Sequence, residues 1–136
     1  MGLTFLDTSA VVGFLDADDA LHPAARSAVL GALSDGERLA VPIISWAEAL
    51  AGVRLGHHDE RALRAFHLDL ALEVVALDEP TAERAADLRV SGLRLPDALV
   101  LASAERAGAT RIVTGDRRWA TAEVTVPVLL LEAGAP

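Results

Sequence analysis

Leu3-Thr4-Phe5-Leu6-Asp7-Thr8-Ser9 decides how the rest of the chain is read. A short, mainly apolar, strand-forming run stops at a carboxylate. Two hydroxyl residues then open a helix expected over Ala10 to Leu15. In an open α/β sheet, ligands bind in the crevice beyond the carboxyl ends of the strands, and Asp7 stands at that edge. Aspartate, threonine and serine are also common helix caps, because each accepts bonds from free N–H groups of a first turn. This stretch alone therefore leaves two readings open, a cap or a site carboxylate. Further carboxylates in similar strand-end and helix-start settings favour the second.

Working outward, Asp16-Ala17-Asp18-Asp19 is a polar break, and His22-Pro23 starts a helix that Asp35-Gly36 ends. Leu39 to Ile44 reads as a second strand, with Pro42 near its end. Ser45 then reads as an N-cap with Glu48 three residues on, the spacing of a capping box, and the helix runs to Gly56. His57-His58 is expected in a solvated loop, since adjacent helical residues do not face each other as a metal pair would. Asp59 starts a helix with Leu63, Phe66 and Leu70 on one stripe, and His67 lies beside that stripe. Leu72 to Leu77 is a third strand, and Asp78-Glu79-Pro80 leads into a helix over Thr81 to Val90. Leu95-Pro96-Asp97 opens a strongly apolar, and so buried, helix over Ala98 to Ala107. Arg111 to Thr114 is a fourth strand ending at Gly115-Asp116. A helical turn over Arg117 to Ala120 and a last strand over Val126 to Leu131 close the chain. Strands alternating with helices predict an α/β fold: a central parallel sheet of about five short strands covered by helices on both faces.

The 136 residues are most simply one domain with a real core, and 52% apolar with 24% charged residues is the balance of a folded protein. The absence of cysteine excludes disulfides and thiolate metal sites. No basic-then-apolar leader precedes Asp7 and no apolar run reaches membrane length, so the expectation is a cytoplasmic protein with no membrane partner. A net charge of −8 argues against broad nucleic-acid binding. Its distribution is more informative: residues 1–83 carry a balance of −9, and residues 84–118 carry +3, all of the positive charge being arginine. Arginine suits bidentate phosphate contacts, so Arg117 and Arg118, beside Asp116, are candidate substrate-binding residues as well as ordinary surface charges.

Four carboxylates share a pattern: Asp7 after the first strand, Glu48 in the helix after the second, Asp97 at a helix start and Asp116 after the fourth strand. Each has an ordinary reading, as capping partner, helix-dipole charge or turn residue. Together they fall at one predicted sheet edge. Two carboxylates roughly 4 Å apart repel by about 4 kcal/mol at an effective dielectric near 20. A cluster of four calls for cations, and an all-oxygen set suits Mg²⁺ or Mn²⁺. Ions held there activate water and steady a phosphodiester transition state.

Leu6-Asp7-Thr8-Ser9-Ala10-Val11-Val12, Ser45-Trp46-Ala47-Glu48, Leu95-Pro96-Asp97-Ala98-Leu99-Val100-Leu101-Ala102 and Ile112-Val113-Thr114-Gly115-Asp116 resemble, in order, the acidic motifs of PIN-domain nucleases. Within these they are most similar to VapC-type ribonuclease toxins of bacterial toxin–antitoxin pairs. The resemblance spans Leu3 to Leu131, and it is the ordered set, not any one motif, that is specific. It implies a PIN-like three-layer sandwich, catalytic and metal-binding roles for Asp7, Glu48, Asp97 and Asp116, and supporting hydrogen bonds from Ser9 and Thr114. It further implies Mg²⁺- or Mn²⁺-dependent cleavage of RNA, a homodimer, and an antitoxin that blocks the acidic cleft. Trp119 stands where the family more commonly has Phe.

Rival readings fit less well. A receiver domain needs a late lysine, and the chain has none. Phosphatases of the haloacid-dehalogenase type want Asp-x-Asp after the first strand, whereas Thr8-Ser9 follows Asp7. A catalytically inert PIN fold that only binds RNA or protein stays open beside the nuclease.

Overall fold

In the computed structural model, which describes residues 1–134, the strands are β1 (Leu3–Leu6), β2 (Arg38–Pro42), β3 (Glu73–Val75), β4 (Arg111–Thr114) and β5 (Val128–Leu130). All neighbours pair in parallel, in the order β3-β2-β1-β4-β5. Helices α1 (Thr8–Leu15) and α2 (His22–Ser34) link β1 to β2, and α3 (Ile43–Arg54) and α4 (Glu60–Asp69) link β2 to β3. Helices α5 (Glu79–Val90) and α6 (Leu95–Arg106) link β3 to β4, and a 3₁₀ turn, Arg117–Thr121, leads to β5. This is a three-layer α/β sandwich.

The period-2 alternation of a strand explains both cores. Leu6, Leu39, Val41 and Val113 face the layer of α1, α2, α3 and α4, where Val11, Val29, Trp46, Leu63 and Phe66 are buried. Leu3, Phe5, Ala40 and Ile112 face the opposite layer, with Leu88, Leu101 and Trp119. Strands apolar on both faces are what a doubly covered parallel sheet requires. The chain adds β2 and β3 on one side of β1, then crosses back to place β4 on the other. With crossovers of one hand, that reversal sends α5 and α6 to the opposite face. The carboxyl ends of β1 and β4 therefore flank a switch point, where a crevice opens.

Several local expectations are corrected. Helix α1 begins at Thr8, two residues early, and Asp7 takes the N-cap position without a side-chain cap bond. β2 stops at Pro42, which has extended backbone and lacks an N–H to continue the ladder, and α3 begins at Ile43. Ser45 is thus inside the helix rather than its cap, buried with no partner for its hydroxyl, and the Ser45–Glu48 capping box does not form. Helix α6 begins at Leu95, with Asp97 in its first turn. The edge strands β3 and β5 are three residues each, shorter than their apolar runs, since each has a neighbour on one side only. His57 and His58 fall in the loop after α3. No helix among the described residues is long and apolar enough to cross a membrane.

Helix α4 ends with exposed Ala71 at φ 51°, and the N–H of Leu72 bonds back to the carbonyl of His67. This is a left-handed C-terminal position usually given to glycine, because a β-carbon is strained there. Ala71→Gly should raise stability by roughly 0.5–1 kcal/mol, measured as a shift in the denaturation midpoint; no gain would mean that the strain is relieved elsewhere.

Candidate active site

The main chain of Asp7 extends the sheet by one bond, its N–H donating to the carbonyl of Val113 at 3.0 Å. Its carbonyl accepts from Ala10 and Val11, so the backbone of Asp7 starts α1 while its carboxylate turns elsewhere. The Thr114 hydroxyl donates to Asp7 Oδ2 at 2.9 Å, and the Ser9 hydroxyl donates to the same oxygen at 3.1 Å. Both hydroxyls also accept: Thr114 from the backbone N–H of Asp116 at 3.0 Å, and Ser9 from that of Gly115 at 2.9 Å. The lack of a side chain at Gly115 also makes room for Leu21, whose side-chain end would meet a β-carbon there. The first four residues after β1 and the end of β4 are thereby stitched together around one carboxylate.

Glu48 reaches the same edge from α3. Its Oε1 accepts from the Thr8 hydroxyl at 3.0 Å, and its charge acts on Asp7. On the other side, Arg118 forks onto Asp116: the backbone N–H and Nε both donate to Oδ1, at 3.0 and 2.9 Å, and Nη2 donates to Oδ2. The same Nη2 lies 3.6 Å from Oδ2 of Asp97. The four acids are therefore joined in two pairs, Asp7 with Glu48 and Asp97 with Asp116, and Thr114 bridges the pairs. Among the described residues, no three acidic or imidazole side chains stand close enough to hold one ion as they are placed. Arg117 is exposed, with no ion pair among the described residues.

The electrostatics of the two pairs differ. Burial pushes the Asp7 carboxyl above the usual aspartate range, opposed by its bonds from Thr114, Thr8 and Ser9 and reinforced by Glu48. Arg118 holds Asp116 below that range, against a smaller effect of desolvation and with help from the charge of Arg94. The donor set is all oxygen, the chemistry of a hard divalent ion. A guanidinium already sits between Asp97 and Asp116, so these carboxylates accept a cation. On both counts the residues fit Mg²⁺ or Mn²⁺.

Beside Asp97 and Arg118 lies a cleft of about 420 Å³, lined also by Ser91, Arg94, Thr121 and Glu123. Sequence reasoning missed Arg94 and the link from Thr8 to Glu48. Arg94 had one signal, its place in the +3 segment three residues before Asp97; Thr8 had none beyond its capping propensity.

A PIN domain family model matches residues 4–124. A sequence comparison with curated proteins finds no match. The fold is that of VapC-type toxins. A chain of VapBC2 from Rickettsia felis, solved bound to a DNA fragment from its promoter, superposes with a TM-score of 0.74 at 20% identity, covering 96% of this chain and 99% of that one. A chain of DNA-bound VapBC from Salmonella typhimurium gives 0.72 at 18% identity, with 95% and 98% covered. VapC20 of Mycobacterium tuberculosis, a Sarcin-Ricin loop cleaving toxin, gives 0.66 at 21% identity, with 90% and 96% covered.

Two predictions come from this geometry. Thr114→Val keeps the β-branched shape but strands the Asp116 N–H and takes from Asp7 Oδ2 one of its two hydroxyl donors, leaving Ser9. It should cost about 1–3 kcal/mol of stability and lower metal affinity roughly 10–100-fold; calorimetric metal titration unchanged from wild type would reduce Thr114 to a strand residue. The second concerns pH. Because Asp7 binds its proton more tightly folded than unfolded, the stability tied to it is full below the ordinary aspartate pKa and falls as pH rises through the raised value. Metal-free Asp7→Asn should therefore melt above wild type at neutral pH, and the gap should close in acid. A gap independent of pH would contradict this.

Proposed function

The chain belongs to the PIN-domain family, and from that membership we propose that it is a divalent-metal-dependent endoribonuclease, the single-domain toxin of a VapC-type toxin–antitoxin pair. The observation that carries this reading is the gathering at one sheet edge of Glu48 with Thr8, Asp7 with Ser9 and Thr114, and Asp116 with Thr114, Arg118 and, through Arg118, Asp97. Acids gathered beyond strand ends, with hydroxyls committed to orienting them, have no packing purpose. RNA as substrate is supported by likeness to a Sarcin-Ricin loop cleaving toxin. An antitoxin partner is supported by likeness to chains of VapBC complexes. A homodimer in the cytoplasm completes the reading.

Asp7, Glu48, Asp97 and Asp116 would hold Mg²⁺ or Mn²⁺. A bound ion of this kind polarises the phosphodiester and lowers the pKa of water. The residues of the chain do the positioning. Thr114 and Ser9 fix one oxygen of Asp7, so its other oxygen is free to turn toward a ligand. Thr8 orients Glu48. The bonds to Asp7 from Thr114, Thr8 and Ser9 favour its ionised form, which hard ions require, against the desolvation that favours the neutral one. Exposed Arg117 lies next to Asp116 and offsets the repulsion an RNA backbone would meet at an acidic edge.

Asp97→Asn should abolish Mg²⁺- or Mn²⁺-dependent cleavage of a single-stranded RNA while leaving the fold intact by circular dichroism; cleavage at the wild-type rate would sink the assignment. Arg117→Ala should flatten the salt dependence of RNA binding by about one unit. A folded wild-type protein that binds RNA and metal without cutting would instead be the inert binding module.

A further inference from the structure

Arg118 is unlike the other enclosed arginine–acid pairs of this protein. Arg84 with Glu105 and Arg111 with Glu37 are clasps whose acids, 10% and 8% exposed, also take bonds from Thr125 and Thr4, and whose arginines are 40% and 32% exposed. They tie strand ends and helices together far from the acidic edge. Arg118 is 58% exposed, yet its partners Asp97 and Asp116 are only 22% and 21% exposed. Its guanidinium is laid over the two acids from the solvent side.

The contact takes up most of the acceptor capacity of Asp116. A carboxylate offers about four lone-pair sites, and three are taken here, by the N–H, Nε and Nη2 of Arg118. A divalent ion needs those same lone pairs on Asp116 and Asp97, and would sit against a positive charge. The two cations compete for the same carboxylates. The neighbouring residue, Trp119, is buried in the core and anchors the 3₁₀ turn, so rotation of the Arg118 side chain removes the two guanidinium bonds from Asp116 and leaves the backbone N–H bond in place. The 420 Å³ cleft that Arg118 already lines gives that side chain room.

We propose that Arg118 is a built-in counter-cation of the metal-free site, and that a divalent ion binds only by displacing its guanidinium from Asp97 and Asp116 into the adjoining cleft. This rests on the metal-dependent reading above and adds the step by which the metal-free protein keeps its acids neutralised. It also makes Arg118 a positioning residue of the unloaded site, with the phosphate contact available to it only once metal is bound.

The test is direct Mn²⁺ titration by electron paramagnetic resonance without RNA, on wild type, Arg118→Ala, Arg118→Gln and Arg117→Ala. Arg117→Ala removes the same charge from the adjacent position, where no acid is contacted. Loss of a bidentate, charge-assisted contact at a solvent-facing site should tighten Mn²⁺ binding about fivefold in both Arg118 variants, and distinctly less in Arg117→Ala. In wild type, the Arg118 Nε–H signal should move toward the free-arginine position as diamagnetic Mg²⁺ is added. Equal gains at both positions would reduce the effect to general electrostatics and overturn the proposal. So would Mg²⁺ binding that leaves the Nε–H signal unmoved, a readout that needs no variant. Failure of every form to bind Mn²⁺ would overturn the metal-dependent reading itself, whereas wild-type binding with no gain in the Arg118 variants overturns the displacement alone.

Discussion

A half-buried carboxylate at the end of the central strand is the constraint on which the rest depends. Burying a charge without partners is costly, and Asp7 does not spend its carboxylate on the helix it starts. Its partners come from both ends of the chain: Ser9 two residues on, and Thr114 more than a hundred residues away. Only the adjacency of β1 and β4 supplies the second. That adjacency in turn requires the crossover that reverses direction after β3 and puts α5 and α6 on the opposite face. Thr114 has no exposure at all, and its hydroxyl acts as donor to Asp7 and acceptor for Asp116. One small group thus couples the two strands, the two inner carboxylates and the crevice between them.

The uneven charge of the chain acquires a spatial meaning in this arrangement. The acid-rich first 83 residues contribute Asp7 and Glu48 to one bank of the crevice, and the arginine-rich segment 84–118 contributes Arg94, Asp97, Asp116 and Arg118 to the other. The crevice is a seam between the two. On its acidic bank, desolvation raises a carboxyl pKa; on its basic bank, a guanidinium lowers one. Opposite shifts across a few residues are a common mark of functional sites, and here they follow from which half of the chain each bank belongs to.

Legibility in the sequence followed local decisiveness. β1 and β4 were readable because apolar runs end abruptly at polar residues, and central strands pair along their full length. The runs around β3 and β5 were readable as strands but not in extent, since an edge strand is trimmed by its single neighbour. Ser45 and Glu48 misled for a different reason. A serine followed three residues later by a glutamate has the same spacing at a helix start and one turn inside it, and Pro42 moved the start. Glu48 was free to meet Thr8 because it was not capping anything.

The residues alone determined the order of strands and helices, the doubly covered parallel sheet and the fall of four acids at one sheet edge, because periodicity and strand-ending carboxylates are written along the chain; Ser9 and Thr114 were named as their attendants only through the family resemblance. Tertiary structure alone decided that the Asp7 carboxylate takes its bonds from Ser9 and Thr114 without a side-chain cap bond to α1, that the acids gather as two pairs, and that Arg118 contacts one of those pairs. Those outcomes depend on which groups meet across the sheet edge, where distances of a few ångströms between residues far apart in sequence choose among partners that local pattern leaves equivalent.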